Sequence, residues 1–199
     1  MNPDHVPPLT RSPELMGRND TALLVIDAQQ RLMPQILEQA RIVWNIGRLI
    51  DGARILGLEV MATEQYPRGL GPTVPELAGR LGTIPSKLAF SCGQCGHLFS
   101  RLADAGRHKI LLAGVEAHVC VTQSVLDLMH EGFRVYVAVD AIGSRSVLDY
   151  QTALRRMESS GATLTTTEAA LFEWCEVAGT PEFKEISALV RQEPASSGG

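Results

Sequence analysis

Short apolar runs alternate with longer amphipathic segments along most of the chain. The first apolar run, residues 22–27, has the length and composition of a buried strand. The next segment, residues 41–56, repeats apolar side chains at helical spacing and is followed by Gly57. Its apolar positions are Ile42, Ile46, Leu49, Ile50 and Ala53. The pattern therefore predicts a strand followed by a helix.

The same alternation predicts further strands and helices. The strands are residues 58–63, 109–113, 134–139 and 162–165, and the helices lie near 97–105, 119–131 and 147–159. Near-continuous apolar strands separated by helices are typical of a parallel sheet covered on both faces, with right-handed crossovers. We therefore expect a doubly wound, Rossmann-like three-layer α/β/α fold with a mainly parallel sheet of about six strands.

The length of 199 residues suits a single domain with one sizeable core. Residues 1–20 contain four prolines and little periodicity, which predicts an extended or mobile N-terminal segment. Residues 21–191 contain the periodic pattern and form the expected domain. Residues 192–199 are mostly small and polar, and we expect a mobile tail there.

Composition narrows the class of partner. The net charge of -4 gives no basic footprint for nucleic acid or for an anionic membrane. The sequence has neither the basic and apolar regions of a signal peptide nor an apolar run near the roughly 20 residues of a membrane span. Four irregularly spaced cysteines favour a reducing compartment. We expect a cytoplasmic protein with a small-molecule substrate, and neither nucleic acid nor membrane as a partner.

Cys120 is the first candidate for chemistry. It follows the apolar strand that begins at Lys109 and a turn that contains Gly114, and it lies at the start of a predicted helix. A helix N-terminus presents unpaired backbone N–H groups, which lower a thiol pKa and can hold a developing oxyanion. The position therefore suggests covalent catalysis by a thiolate.

Asp27 and Lys87 are candidates for the groups that assist such a thiol. Asp27 directly follows four apolar strand residues, and ligands of parallel sheets bind at the carboxyl ends of strands. Partial desolvation there can raise a carboxyl pKa toward that of a useful base, although an aspartate can also simply cap a turn. Lys87, in a brief apolar stretch, would orient the carboxylate and stabilise a thiolate.

Three short motifs, in this order, resemble those of the isochorismatase-like (cysteine) hydrolase superfamily. They are an apolar strand ending in Asp27-Ala-Gln29, Lys87 shortly before Phe90-Ser91, and Gly-Val-Glu-Ala-His-Val-Cys-Val over residues 114–121. The resemblance covers about residues 21–190. Segments 63–77 and 140–146 look closest to the isochorismatase domain-containing proteins.

The resemblance implies a catalytic triad of Asp27, Lys87 and Cys120. In the mechanism that it implies, Asp27 takes the thiol proton and Cys120 attacks a carbonyl carbon, which leads to a thioester that water hydrolyses. We expect a hydrolase of a small carbonyl substrate that acts on a non-peptide C–N bond. The resemblance also implies a homo-oligomer.

The resemblance further implies a cis peptide bond between Val115 and Glu116, although neither residue is proline. Such a bond would turn the backbone N–H of Glu116 toward the site. The oxyanion hole would then consist of the backbone N–H groups of Glu116 and Cys120.

Several related nicotinamidases bind a divalent metal through an Asp-x-His arrangement after the second strand. The corresponding residues here are Glu64, Gln65 and Tyr66, which lack the histidine, so we expect no metal and no other cofactor. Gln29, Glu64, Gln65 and Tyr66 are predicted to line the substrate pocket. Their alternative role is to form hydrogen bonds within loops.

The sequence also allows other interpretations of single residues and of the whole chain. His118 lies two residues before Cys120, but this spacing does not aim it at the thiol, and a rim or packing role is the better interpretation. Cys92 and Cys95 could form a redox pair, whereas the alternative is a helix start capped by Ser91. The chain could also be a catalytically weak binding or assembly protein that retains the fold, or a thiol redox protein.

Overall fold

In the computed structural model, which describes residues 9–193, six parallel strands form one sheet in the order β3-β2-β1-β4-β5-β6. The parallel α/β fold predicted from the sequence is confirmed. The strands are β1 (Thr21–Ile26), β2 (Glu59–Gln65), β3 (Ser86–Lys87), β4 (Lys109–Val115), β5 (Arg134–Gly143) and β6 (Thr163–Thr165).

Eight α-helices connect and cover these strands within the described residues. They are α1 (Gln39–Leu56), α2 (Pro67–Leu70), α3 (Pro75–Ala78), α4 (Gly96–Asp104), α5 (Thr122–His130), α6 (Val147–Ser159), α7 (Thr167–Cys175) and α8 (Pro181–Val190). Two short 3-10 turns, Met33–Gln35 and Cys92–Cys95, and a π turn, Ala117–Val121, complete the connections. None of the helices over residues 9–193 combines the length and apolar character that a membrane span requires.

The sheet separates two apolar cores. Side chains of β1 alternate between them, because successive residues of a strand point to opposite faces. Leu23 and Val25 pack with α1, α7 and α8, whereas Leu24 and Ile26 pack with α4, α5 and α6. Every residue of β1 is buried, as expected for a central strand of a three-layer fold.

Several elements differ from the sequence expectation. The helix predicted near 119–131 begins instead with the π turn Ala117–Val121, and α5 starts only at Thr122. The short elements α2, α3 and β3 were not predicted. Helices α7 and α8 were not predicted either. Each has a threonine cap, since the hydroxyls of Thr166 and Thr180 accept from backbone N–H groups of the first turn.

Residues 9–20, the described part of the N-terminal segment, form turns and irregular backbone and are anchored to the domain. Met16 is fully buried in the core that also contains residues of α1, α7 and α8, and its backbone N–H donates to the Glu173 carboxylate at 2.8 Å. The Tyr136 hydroxyl donates to the backbone carbonyl of Glu14 at 2.6 Å. Residues 1–8 of that segment and 194–199 of the expected tail lie outside the described residues, and the predicted domain bounds stay predictions.

Candidate active site

The candidate site lies at the topological switch point of the sheet, between β1 and β4. Strands β1 and β4 are neighbours, but β2 and β3 extend the sheet on one side and β5 and β6 on the other. In such sheets the crevice beyond the carboxyl ends of the two central strands is the usual ligand site. Asp27 directly follows β1, and Cys120 follows β4 in the π turn. The chain thus brings both candidates to one crevice.

Gly114 allows β4 to approach β1 closely at this edge. It pairs with Ile26, the residue before Asp27, and its backbone has φ of 119°. A side chain at Gly114 would overlap the backbone carbonyl of Ile26. Only glycine avoids both problems, because it lacks a Cβ and tolerates positive φ.

Asp27 and Lys87 form a fully buried ion pair. Lys87 Nζ lies 2.7 Å from Asp27 Oδ2, and neither side chain is exposed. The ammonium also donates to Gln65 Oε1 at 2.9 Å and to the backbone carbonyl of Phe90 at 2.8 Å. A lysine ammonium has three protons, so each has an acceptor here. The positive charge is therefore held in one place.

The Asp27 carboxylate contacts two further side chains. Thr63 Oγ1 donates to Asp27 Oδ1 at 2.9 Å, and the Cys120 thiol lies next to the same carboxylate. Burial raises the pKa of Asp27 above its ordinary value, although Lys87 and the hydrogen bonds oppose this. The pair with Lys87 and the contact with Cys120 make Asp27 a candidate base for the thiol proton.

The Cys120 thiol differs from the sequence expectation. Only 5% of Cys120 is exposed, and burial, followed by the negative charge of Asp27, raises its pKa above the ordinary thiol value. The expected lowering by a helix N-terminus is outweighed, since Cys120 lies within a turn that precedes α5. Burial therefore favours the protonated form of the Cys120 thiol.

The peptide bond between Val115 and Glu116 is cis. The Glu116 side chain is buried and points to Arg145, whose Nε donates to Glu116 Oε2 at 3.0 Å. The oxyanion role of the Glu116 and Cys120 backbone N–H groups stays a prediction.

Gln29 joins two loops beside the site. Its Nε2 donates to the carbonyls of Gln65 and Gly71 at 3.0 and 2.6 Å, and its Oε1 accepts from the Gln65 N–H at 2.8 Å. The side chain is fully buried. These contacts correspond to the loop hydrogen-bonding alternative, and the substrate-binding role of Gln29 stays a prediction.

Glu64 also bonds within a loop, because its Oε1 accepts from both the N–H and the hydroxyl of Thr73, at 2.7 and 2.8 Å. Gln65 connects Lys87 to the backbone of Leu88. Tyr66 is the most accessible of the predicted pocket residues, with half of its surface exposed. Within residues 9–193, His, Cys, Asp and Glu side chains form no group of three or more that could hold a metal ion.

His118 and the Cys92 pair take up separate contacts. His118 Nδ1 lies 3.0 Å from Ser144 Oγ, so this nitrogen is engaged away from Cys120. Ser91 caps the turn at Cys92–Cys95 by accepting from the Gly93 N–H at 3.1 Å. Both cysteines are buried free thiols.

Thr63 is a site residue that the sequence reasoning did not identify. A single hydroxyl within a strand gives no periodic signal. The available signal was its position, because Thr63 lies near the carboxyl end of β2, beside the end of β1.

The comparisons with known proteins agree with this architecture. The family described as the isochorismatase domain matches residues 21–169. Isochorismatase domain-containing protein 2A of Mus musculus is 40% identical over 178 residues, which cover 88% of this chain and 85% of that protein.

Two solved structures extend the comparison. A structure described as MAR1 ribonuclease from Caenorhabditis elegans is 37% identical, with a TM-score of 0.84 over 92% of this chain and 96% of that chain. The YcaC gene product of Escherichia coli, described as an octameric hydrolase of unknown specificity, is 25% identical, with a TM-score of 0.81 over 90% and 92% of the two chains.

Proposed function

This chain belongs to the isochorismatase family, and we propose that it is a cysteine-dependent hydrolase of a small carbonyl compound with a non-peptide C–N bond. The family and the shared fold support a hydrolase. The observation that carries the finer proposal is the buried cluster in which the Cys120 thiol contacts Asp27 and Asp27 pairs with Lys87 at 2.7 Å.

In the first step, Asp27 accepts the proton of the Cys120 thiol while the sulfur attacks the carbonyl carbon of the substrate. A C–S bond forms, and the carbonyl electrons move onto the oxygen. The backbone N–H groups of Glu116 and Cys120 are the proposed donors to this oxyanion. Lys87 remains beside Asp27 and holds a fixed positive charge as the negative charge moves from the carboxylate to the substrate.

In the second step, the C–N bond breaks and the leaving nitrogen takes the proton from Asp27, which leaves a thioester on Cys120. Asp27 then removes a proton from water, and the resulting hydroxide attacks the thioester carbon. The C–S bond breaks, and the thiolate recovers its proton from Asp27. The products are an acid and an amine or ammonia, and the triad returns to its starting state.

The immediate surroundings favour a small substrate. Gln29 and Glu64 bind loops on one side, whereas Tyr66 is half exposed and is the strongest candidate for a contact with bound substrate. The octameric state described for Escherichia coli YcaC supports a homo-oligomer for this chain as well. A cytoplasmic location stays a prediction.

The test is a hydrolysis screen over small amides, imides and related carbonyl compounds with the wild type, Cys120→Ser and Asp27→Asn. We expect a C–N hydrolase activity that falls by about a thousandfold or more in both variants. An RNA substrate belongs in the same screen, because the similar Caenorhabditis elegans protein is described as a ribonuclease. We expect no RNA cleavage that depends on Cys120.

Iodoacetamide labelling with peptide mass mapping tests the nucleophile without a known substrate. Cys120 should react faster than Cys175, another buried thiol, and Asp27→Asn should remove that difference. Equal labelling of the two thiols, or RNA cleavage that is lost in Cys120→Ser, would replace the proposal. Substrate binding without turnover would instead favour a binding protein that retains the fold.

A further inference from the structure

Thr63 holds Asp27 at two points. Its backbone carbonyl accepts from the Asp27 N–H at 3.1 Å, and its hydroxyl donates to Asp27 Oδ1 at 2.9 Å. Only 1% of Thr63 is exposed, so water does not compete for these contacts. Asp27 itself has a left-handed backbone with φ of 52°, which an aspartate adopts when local hydrogen bonds support it.

The two oxygens of Asp27 therefore have different partners. Thr63 donates to Oδ1, and Lys87 donates to Oδ2 at 2.7 Å. Two donors on opposite oxygens fix the rotation of the carboxylate plane. A general base must lie within hydrogen-bond reach of the proton that it takes, so this rotation decides how well Asp27 faces the Cys120 thiol.

Cys92 is a second partner of the Thr63 hydroxyl. Cys92 Sγ lies 3.4 Å from Thr63 Oγ1 and is fully buried. The hydroxyl has one proton, and the Asp27 carboxylate is its stronger acceptor. Burial raises the pKa of the Cys92 thiol to about 11, which leaves it protonated at neutral pH. The thiol thus donates to Thr63, and Thr63 donates to Asp27.

We propose that Thr63 is a positioning residue, whose hydroxyl fixes the Asp27 carboxylate in the orientation and charge state that accept the Cys120 proton. This inference rests on the proposed function, since it assigns Asp27 as the base. Hydrogen bonding to the ionised form of a carboxylate favours that form. Loss of the hydroxyl should therefore make Asp27 hold a proton at higher pH.

The test measures the rate of Cys120 alkylation by iodoacetamide as a function of pH, with the labelled site identified by mass mapping. Thr63→Val has nearly the same shape as threonine but no hydroxyl. In Thr63→Val we expect the low-pH limb of the alkylation rate profile to move to higher pH. The alkylation rate at a fixed pH on that limb should then fall by about tenfold. Thr63→Ser keeps the hydroxyl and should restore the wild-type limb.

Thr21→Val is the matched control. Thr21 is also buried, and its hydroxyl donates to an aspartate, Asp20 Oδ1, at 2.9 Å, but at the other end of β1. We expect its pH profile to equal that of the wild type. If Thr63→Val does not fold, Thr63→Ala removes the same hydroxyl without adding volume.

The outcomes separate this inference from the proposed function. Selective labelling of Cys120 with coincident profiles for the wild type and Thr63→Val overturns the role of Thr63 alone. The same conclusion follows if Thr63→Ser shifts as far as Thr63→Val, because the hydroxyl would then be irrelevant. Absence of selective Cys120 labelling in the wild type overturns the proposed function and this inference together.

Discussion

Two aspartate–lysine pairs lie at opposite ends of β1. Their N–O distances are the same, but their exposure to solvent differs. At the amino end, Lys109 Nζ lies 2.7 Å from Asp20, and the Asp20 side chain is 30% exposed. At the carboxyl end, Lys87 Nζ lies 2.7 Å from Asp27, and both side chains are fully buried. The carboxyl pKa values move in opposite directions. Partial burial opposes the hydrogen bonds to Asp20, which prevail and lower its pKa, whereas burial prevails at Asp27 and raises it.

The difference shows that ion-pair geometry alone does not indicate a reactive site. The Asp20 pair anchors the chain, because Lys109 also donates to the Leu15 carbonyl at 2.8 Å and so holds the N-terminal segment. The Asp27 pair excludes water and lies against a thiol. A buried pair is costly to form, and buried ionisable groups with shifted pKa values cluster at functional sites.

The largest expected effect separates the two lysines. Lys87→Met should slow Cys120 alkylation by about a hundredfold or more, because the site loses the positive charge that stabilises a thiolate. Lys109→Met removes the same charge from the amino end and should leave the rate unchanged. Rates are measured at several pH values with iodoacetamide and peptide mass mapping, after circular dichroism has shown that both variants are folded.

Equal losses in the two variants would contradict the distinction between the ends of β1. They would mean that alkylation follows the stability of the fold and not the charge beside Asp27. We expect Lys87→Arg to alkylate as slowly as Lys87→Met. A guanidinium cannot direct its protons to the same three acceptors as an ammonium.

Part of this comparison could be predicted from the sequence. Asp27 and Cys120 each follow a nearly continuous apolar strand, and the carboxyl ends of parallel strands share one edge of the sheet. Lys87 was harder to place from pattern alone, since its strand has only two residues, Ser86 and Lys87, too few to show alternation. Its assignment came from the resemblance of the motifs.

The remaining features depend on three-dimensional surroundings. The thiol pKa of Cys120 was expected to fall at a helix start, but burial and Asp27 raise it, and burial cannot be read from spacing along the chain. Thr63 acquires its role only because β2 lies next to β1. Gln29 and Glu64 bond to residues at least nine positions away, so their loop contacts were not predictable from local pattern.

The next largest effect compares Gly114, near the carboxyl end of β4, with Gly106, in the turn before β4. Gly114→Ala should lower the free energy of unfolding by more than about 3 kcal/mol, because a side chain there overlaps the Ile26 carbonyl and φ is 119°. Gly106→Ala should lower it by only about 1 kcal/mol, since φ is 72° but no atom lies within 4 Å of the added carbon. Urea unfolding measures both values, and similar losses would show that the close approach of β4 to β1 at Gly114 is not required for stability.

The smallest effect tests the opposite pKa directions of the two aspartates. A lowered carboxyl pKa adds stability above the unfolded-state value, and this stability is lost as pH falls through the folded-state pKa. A raised pKa acts with the opposite sign, so stability falls as pH rises from the unfolded-state value to the folded-state one. Relative to Asp20→Asn, the wild type should therefore gain about 1 kcal/mol as pH rises from 3 to 7.

Relative to Asp27→Asn, the wild type should lose stability as pH rises above the ordinary aspartate value, because folding then requires Asp27 to ionise in a dry site. Urea unfolding at half-unit pH intervals gives both difference curves from the same three proteins. Curves of opposite slope would support the contrast between the two ends of β1. Parallel curves would mean that Lys87 compensates for burial as fully as Lys109 does, and the two carboxyl groups would then not differ in the direction of their pKa shifts.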